Sequence, residues 1–296
     1  MLADFASARV VVRPYLPQDE ADILEFCKYI WDGNDYIHHA WPFWLAETDS
    51  EMFVAEYAGH AIGLARLVHM APGQWWLEGL RVDVNHQDKK IGSLLHGYCH
   101  DHWLEHGDGT IRLWTSAQRV KVHHLCEIYG FSRGQDMAIV SAPALDEPVD
   151  AFTSVVGDEI PEAVAFALQA ESLALGGGLL DIGWRVAIPN ETSFRTIESW
   201  EDSHIVWWRG RQGLLVTWGD EDEIGAHPMI GLAACTAADL DALLLDSRRV
   251  AARDGCHKVA WHAPVGPALE ETLVAAGFAR EGDTVNCTFE KRHPER

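Results

Sequence analysis

The feature that most constrains the fold is a repeat, because one order of motifs occurs in both halves of the chain. Each copy has a strand beginning near a glycine, a long helical stretch, a glycine turn, a second strand and a helix ending in Gly-Phe. The landmarks are residues 79–82, 108–114 and 130–131 in the first copy and 231–234, 254–261 and 277–278 in the second. A repeat of this length indicates two copies of one domain. Two unrelated α/β domains with the same Gly-Phe ending are the alternative.

Length and composition place the boundary between the copies. A chain of 296 residues suits two domains of about 100–200 residues each. The stretch 143–161 contains prolines among acidic residues, a composition typical of a linker. We therefore predict a first domain at 1–142, a linker at 143–161 and a second domain at 162–296.

Local patterns in the first copy predict strands that alternate with helices. Residues 52–57 and 61–69 are rich in β-forming residues and are joined by Ala-Gly-His, which predicts a hairpin. A further strand is predicted at 75–84 and an amphipathic helix at 91–107. Strands and helices in this order predict an α/β fold with a mixed sheet and helices packed on it.

The charge of the chain narrows its partners. Asp and Glu number 45 against 23 Lys and Arg, which gives a formal net charge of -22. Neither half carries the basic stripe that nucleic acid requires, so we expect no nucleic-acid partner. A surface of this sign attracts cations, including protonated amines.

Hydropathy and cysteine usage indicate a cytoplasmic protein without a membrane partner. No stretch approaches the ~18 apolar residues of a membrane span, and the start lacks the basic-then-apolar order of a signal peptide. The 6 cysteines lie far apart without a CxxC pair. This pattern fits isolated buried thiols in a reducing compartment.

The turn at residues 85–93 has the pattern of an anion site. It joins a predicted strand to a predicted helix, whose first amides have no partner within the helix. These amides and the helix dipole form a cradle for an anion, to which Lys89 and Lys90 add positive charge. Pyrophosphate is the ligand that we expect, although many turns of this kind bind nothing.

With this turn, the chain resembles the GCN5-related N-acetyltransferases (GNAT). The acyl-CoA loop of that family reads Gln/Arg-x-x-Gly-x-Gly/Ala, and residues 87–92 read Gln-Asp-Lys-Lys-Ile-Gly. The later family segment Leu-Tyr-x-Lys-x-Gly-Phe is matched by residues 125–131, and the resemblance covers roughly residues 9–140. Two positions depart from the pattern: Lys90 replaces the first glycine of the loop, and Cys126 replaces the tyrosine that often protonates the leaving thiolate.

The resemblance implies an acyl-CoA N-acyltransferase fold, present twice, with acetyl-CoA as co-substrate. Backbone amides around residues 80–82 would hold the thioester carbonyl and the pantetheine arm. The residues that the resemblance assigns to acetyl-CoA are Leu80, Arg81, Val82, Gln87, Asp88, Lys89, Lys90, Ile91, Gly92 and Ser93. A narrower likeness, carried by residues 33–37, 44–45 and 77–82, is to the vertebrate histidine N-acetyltransferase-like branch.

Acetyl transfer to an amine needs a base, because a free amine is mostly ammonium near neutral pH. Glu78 is the candidate base, since it lies on the strand expected beside the acyl group. Leu80 and Val82, two and four residues further on, are expected on the same face of that strand. The alternative is that Glu78 is a satisfied carboxylate at the rim of the strand.

The leaving thiolate takes up a proton, for which Cys126 and Tyr129 are the candidates. Cys126 holds the position of the family tyrosine, and Tyr129 lies about one helical turn away. A thiol of ordinary pKa, about 8.5, is well matched to protonate a thiolate. In the alternative, both residues pack in the core and water supplies the proton.

Substrate selection is expected from residues 32–45, where carboxylates lie beside aromatic side chains. This combination suits a cationic amine through ion pairing and cation–π contact. We predict Asp35 and Tyr36 as substrate contacts and interpret the tryptophans of this segment as packing.

Metal binding is the minority interpretation, and we expect no metal. Its signal is four histidines in two i,i+4 pairs, namely His96, His100, His102 and His106, without a fixed partner such as HExxH. The second copy lacks a basic residue and a glycine at 235–240, the place of the phosphate loop, so we interpret it as degenerate. Buttressing the first domain, lining the acceptor site and forming a homodimer face remain alternatives for its role.

The predicted reaction is direct transfer of acetyl from acetyl-CoA to the amine of a small molecule, such as an amino acid. Two alternatives stay open. One is a non-catalytic acyl-CoA sensor that keeps the cradle without the base. The other is a peptide or protein N-acetyltransferase, which an acidic surface permits weakly.

Overall fold

The computed structural model describes residues 9–294. Within this range the chain forms two compact units, neither of them continuous in sequence. The first unit consists of residues 9–113, 120–132 and 289–294, and the second consists of 114–119 and 133–288. No helix in residues 9–294 combines the length and the apolar character that crossing a membrane requires.

Helices and strands alternate along the chain. Up to residue 143 the strands are β1 (Val11–Pro14), β2 (Ser50–Tyr57), β3 (His60–Ala71), β4 (Gln74–Val82), β5 (Thr110–Ser116) and β6 (Ser132–Pro143). The helices of this part are α1 (Glu20–Cys27), α2 (Ile37–Ala46), α3 (Ile91–His106) and α4 (Val120–Ile128). The later strands are β7 (Phe152–Ser154), β8 (Leu180–Asp181), β9 (Val186–Ala187), β10 (His204–Trp208), β11 (Gly213–Glu221), β12 (Ala226–Ala234), β13 (Lys258–Pro264), β14 (Ala279–Arg280) and β15 (Asn286–Arg292). The later helices are α5 (Ile160–Gln169), α6 (Glu171–Leu175), α7 (Glu191–Glu198), α8 (Leu240–Arg253) and α9 (Pro267–Ala275).

The sheet of the first unit has the strand order β1-β2-β3-β4-β5-β15. Strands β1 to β4 are antiparallel neighbours, whereas β4 and β5 are parallel. Helices α1 and α2 cover the sheet with a core rich in aromatic and aliphatic side chains, made of Ile23, Phe26, Cys27, Ile37, Trp41, Trp44, Val54, Ala61 and Leu64. The predicted α/β fold with a mixed sheet is confirmed.

The sheet of the second unit has the strand order β6-β13-β12-β11-β10-β7, and β14 also pairs with β6. Here β12 and β13 are the parallel neighbours, as β4 and β5 are in the first unit. Helix α8 covers residues 240–253, as the sequence pattern predicts, and it packs on β12 and β13. The two units therefore share one plan around a parallel strand pair.

Each sheet is completed by a strand from the other half of the sequence. The C-terminal strand β15 lies beside β5 in the first unit, whereas β6 pairs with β13 in the second. The compact units thus do not follow the predicted domains at 1–142 and 162–296. The predicted linker at 143–161 contains β7, which pairs with β10 as part of the second unit.

Candidate active site

The first unit contains a cleft where two parallel strands part. Strands β4 and β5 pair at Gln74 with Thr110, Trp75 with Ile111 and Trp76 with Arg112. From Leu77 onward, the edge of β4 that faces β5 has no strand partner among residues 9–294. Backbone amides on this edge are therefore available to a ligand.

A β-bulge interrupts β4 at the start of the cleft. Leu64 pairs with Arg81 and Arg66 pairs with Glu78, so that one residue of β3 lies opposite two residues of β4. Gly79 in the bulge has φ +68°, and a Cβ atom there would lie 2.7 Å from Trp44 Cη2. Glycine adopts this positive φ easily and has no Cβ atom that would collide with Trp44.

The bulge changes which side chains share a face of β4. The predicted shared face of Glu78, Leu80 and Val82 is wrong, because the extra residue shifts the alternation by one. Glu78 is bonded to Arg66, which stacks on Trp44 of α2, whereas Val82 Cγ2 approaches Gly92 of α3.

The Glu78 carboxylate is held by a buried arginine that the sequence analysis missed. Arg66 is fully buried, and its guanidinium donates to Glu78 Oε1 at 2.6 Å and to Glu47 Oε2 at 2.7 Å. It also donates to Ser50 Oγ at 2.7 Å. Two carboxylates share one guanidinium here, so this cluster of Arg66, Glu47 and Glu78 carries a net charge of -1 at neutral pH.

Asp35, which the sequence predicts as a substrate contact, is instead paired with Arg81. Both of its carboxylate oxygens accept hydrogen bonds from Arg81, Oδ2 from Nε at 2.8 Å and Oδ1 from Nη2 at 3.0 Å. The Asp35 side chain is fully buried, so it does not reach a ligand as a free carboxylate. Its negative charge neutralises Arg81, and the pair positions the Arg81 guanidinium.

Aromatic side chains flank the Arg81 guanidinium. The guanidinium carbon lies 4.1 Å from the Trp31 ring centroid and 5.1 Å from that of Tyr36. Trp31 and Asp32 both have positive φ, 51° and 56°, a backbone conformation that costs energy outside glycine. Tyr36, a predicted substrate contact, is partly exposed beside this stack.

The turn between β4 and α3 is open to solvent. Asp83 holds it from inside, because its carboxylate accepts from the Asn85 amide at 3.0 Å and contacts His86 Nδ1 at 2.8 Å. The predicted loop residues on its outer side are all exposed, namely Gln87, Asp88, Lys89 and Lys90. Asp88 forms an ion pair with Lys121 of α4.

Helix α3 begins at Ile91 without a side-chain cap. Among the described residues, none accepts a hydrogen bond from the amides of Gly92 or Ser93, which leaves both to an external acceptor. Lys90 precedes the helix with φ +64°, the left-handed conformation that glycine adopts most easily. Lys90 thus adopts the backbone conformation expected of the family glycine, at a cost in conformational energy of about 1 kcal/mol.

The two acid candidates lie on or next to α4. Cys126 is fully buried, and burial raises the pKa of its thiol to about 12, so it does not reach a ligand at the surface. The Tyr129 hydroxyl donates to Ser93 O of α3 at 3.4 Å. Burial also raises the pKa of Tyr129.

The four histidines of α3 do not converge on one point. His100 Nε2 lies 2.6 Å from Lys291 Nζ of β15, and His102 Nε2 lies 2.9 Å from Glu51 Oε1. His96 is buried, and its Nε2 has no partner among the described residues. These histidines serve the packing of the first unit instead of a shared ligand.

His96 should make the protein sensitive to acid. Burial lowers its pKa from 6.5 to about 4, so between these values the unfolded chain binds a proton that the folded chain does not. Stability therefore falls as pH falls through this window, by about 1.4 kcal/mol per unit and about 3 kcal/mol in total. Urea unfolding near pH 7 and near pH 5 measures the loss.

A His96→Phe variant should lose much less stability over the same pH step, because Phe suits the contacts of His96 with Tyr129 and Phe131. The matched control is His124→Asn, since the His124 side chain is 69% exposed. An unchanged pH slope in His96→Phe would contradict the assignment.

In the second unit, the corresponding cleft is filled by the chain itself. The β12 edge that corresponds to residues 81–83 contacts α6: Ser172 Oγ donates to Ala233 O and accepts from the Cys235 amide, both at 2.8 Å. Glu171 Oε2 accepts from the Ala237 amide at 3.0 Å, in the turn before α8. Ser172 is fully buried by these contacts. A hydroxyl and a carboxylate of α6 are thus bonded to the backbone of this edge and of the turn that follows it.

The fold is that of the acyl-CoA N-acyltransferases. Solved structures of this class resemble the whole chain at low identity. A GCN5-related N-acetyltransferase from Sphaerobacter thermophilus has a TM-score of 0.60 at 14% identity, covering 95% of this chain and 95% of its own. A tandem GNAT protein from the clavulanic acid biosynthesis pathway has a TM-score of 0.60 at 10% identity, covering 97% and 100%. Another GCN5-related N-acetyltransferase, from Kribbella flavida, has a TM-score of 0.60 at 14% identity, covering 97% of this chain and 71% of its own.

Residues 19–131 match the family model of the acetyltransferase (GNAT) family. No curated protein sequence matches the chain. The predicted tandem GNAT fold is confirmed, with an N-terminal acetyltransferase copy and a degenerate second copy. This match supports acetyl transfer that depends on acyl-CoA.

Proposed function

We propose that the first unit transfers acetyl from acetyl-CoA to the amine of a small molecule, with Glu78 as the base. The observation that carries this proposal is the placement of Glu78 at the bulge, where β4 and β5 part. A carboxylate there, fixed by Arg66, lies at the start of the β4 edge that has no strand partner within residues 9–294. The screen that tests it measures CoA release with amino acids and with polyamines as acceptors.

The residues that would hold acetyl-CoA are those of the β4 edge and the turn. Those amides of residues 80–82 that point away from β3 are available along the cleft, and those of Gly92 and Ser93 at the start of α3. Lys89 and Lys90 add positive charge for a pyrophosphate. Bound there, acetyl-CoA supplies an activated acyl group, and the protein supplies position and proton transfer.

Glu78 accepts the proton of the attacking amine in this proposal. Arg66 holds Oε1, which fixes the orientation of the carboxylate. We assign the proton of the leaving thiolate to water, because Cys126 is buried and the Tyr129 hydroxyl is bonded to α3.

The charge and the aromatic rings of this region support an amine as acceptor. The Arg66 cluster carries a net charge of -1, and the Asp35–Arg81 pair is neutral, so an ammonium group is attracted. Tyr36 and Trp31 offer ring faces for cation–π contact. In this assignment Tyr36 contacts the substrate, whereas Asp35 acts by positioning Arg81.

A cytoplasmic location fits the cysteines, which are free throughout residues 9–294. The predicted boundaries at 1–142 and 162–296 remain our proposal for the two evolutionary copies. The exchanged strands β6 and β15 are then additions that each copy receives from the other.

Acetyl-CoA should bind once per chain, and Lys90 variants should locate that site. Lys90→Glu is expected to weaken binding about thirtyfold, since each unit charge beside a phosphate contributes about 1 kcal/mol in water-like surroundings. Lys90→Gly removes the charge but relieves the left-handed strain, so it should weaken binding only severalfold. Isothermal titration calorimetry measures both values. If one equivalent of acetyl-CoA bound Lys90→Glu with unchanged affinity, the binding site would lie elsewhere, for example in the second unit.

A further inference from the structure

Three metal-ligating side chains converge in the second unit, outside the acetyl-transfer site. Asp222 follows β11, His227 lies at the start of β12, and His257 immediately precedes β13. One ligand atom from each lies within 4.8 Å of the other two. His257 Nε2 is 3.2 Å from Asp222 Oδ2, and the two imidazole centroids are 5.6 Å apart. Three strands thus bring these side chains together from well-separated parts of the sequence.

We propose that these three residues bind one divalent transition-metal ion, with Zn²⁺ as the best match. Two imidazole nitrogens and one carboxylate oxygen form the mixed ligand set that Zn²⁺ accepts, whereas Mg²⁺ and Ca²⁺ prefer oxygen alone. Three protein ligands leave the fourth tetrahedral position to water. This proposal revises the expectation that no metal is bound, and it does not depend on the acetyl-transfer proposal.

The groups around the ligands favour this use. Asp222 Oδ1 accepts from the amides of Ile224 and Gly225, at 2.9 and 3.2 Å, which orients the carboxylate. His227 is buried, and its Nδ1 lies 3.5 Å from Gly225 O. A proton on Nδ1 would leave the Nε2 lone pair for the metal. Asp222 and His257 are partly exposed, which gives an ion access from solvent.

Lys258 is the competitor that the metal must displace. Its Nζ lies 2.9 Å from Asp222 Oδ2 and 2.8 Å from Glu281 Oε1. Because Glu281 is already a partner, Lys258 can keep one ion pair when Asp222 turns to a metal. Removing this ammonium should therefore strengthen metal binding, a result that a purely structural salt bridge would not produce.

The experiment titrates the metal-free full chain with Zn²⁺ by calorimetry and follows the midpoint of thermal unfolding. One Zn²⁺ is expected per chain, with a raised midpoint, and His227→Asn and His257→Asn should abolish both effects. Lys258→Met should lower Kd about tenfold, because an ammonium no longer faces the dication. The circular dichroism spectrum of the same variants should be unchanged, which shows that each variant folds.

The matched control is His102→Asn, since the half-buried His102 and the exposed His106 form an i,i+4 pair in the first unit whose centroids are 4.5 Å apart. Zn²⁺ binding should survive this change. Binding that is lost in His102→Asn but kept in His227→Asn would overturn the assignment. Failure of Lys258→Met to tighten binding would equally exclude Asp222 as a ligand.

Discussion

Replacing Glu78 by Gln is expected to lower kcat for acetyl transfer by about 10²–10⁴-fold while leaving the affinity for acetyl-CoA nearly unchanged. Glutamine keeps the shape of the side chain and can still accept the hydrogen bond from Arg66, which is 2.6 Å long in the native protein. It cannot accept the proton of the amine. Thiol release measures kcat, and calorimetry with acetyl-CoA measures binding.

The matched control is Glu47→Gln, because Glu47 and Glu78 share the guanidinium of Arg66. If Glu78 served only as a counter-ion for Arg66, both variants would lose stability and activity to a similar extent. We expect Glu47→Gln to retain most of kcat. A Glu78→Gln variant that binds acetyl-CoA and turns over normally would leave the chain with another base.

A chain that ends after residue 132 should fail to fold cooperatively. It lacks β15, which completes the first sheet beside β5, so the β5 edge is left exposed. It also lacks Lys291, which donates to Tyr129 O at 2.7 Å, and Glu290, which accepts from Arg112 Nε at 3.0 Å. Calorimetry and circular dichroism should show a broad transition or none.

The matched control restores the missing strand without the second unit. Residues 286–296 are attached to residue 132 through a Gly/Ser linker of about 20 residues, which spans about 25 Å as a random coil. Cooperative unfolding should return in this chain. Equal unfolding midpoints for the two chains would show that β15 is dispensable to the first unit.

The sequence predicts those parts of the fold that depend on neighbouring residues. Periodic apolar patterns among neighbouring residues predict the hairpin of β2 and β3, helix α3 and helix α8. The turn before α3 could also be predicted, because it follows from a strand and a helix that are adjacent in sequence and does not depend on distant residues. Composition cannot reveal a strand exchange, since β15 and β5 are paired across more than half of the chain.

The cluster of Arg66, Glu47 and Glu78 depends on the register of β3 with β4, which the sequence does not show. The bulge at Gly79 arises from the pairing of β3 with β4, and it decides that Glu78 meets Arg66. Signals for both were present: a glycine inside a strand often marks a bulge, and an arginine inside an apolar strand requires a buried partner. The Asp35–Arg81 pair joins residues 46 apart in sequence, so the aromatic segment alone suggested a free carboxylate.

Helix α6 competes with any ligand that could enter the cleft beside β12 in the second unit. Ser172 and Glu171 are tethered to the cleft that they fill, so their effective concentration there is high and does not depend on dilution. A soluble competitor would have to exceed that local concentration and also break buried hydrogen bonds. The cleft of the second unit is therefore occupied by side chains of its own chain, and a soluble ligand would enter it only by displacing them.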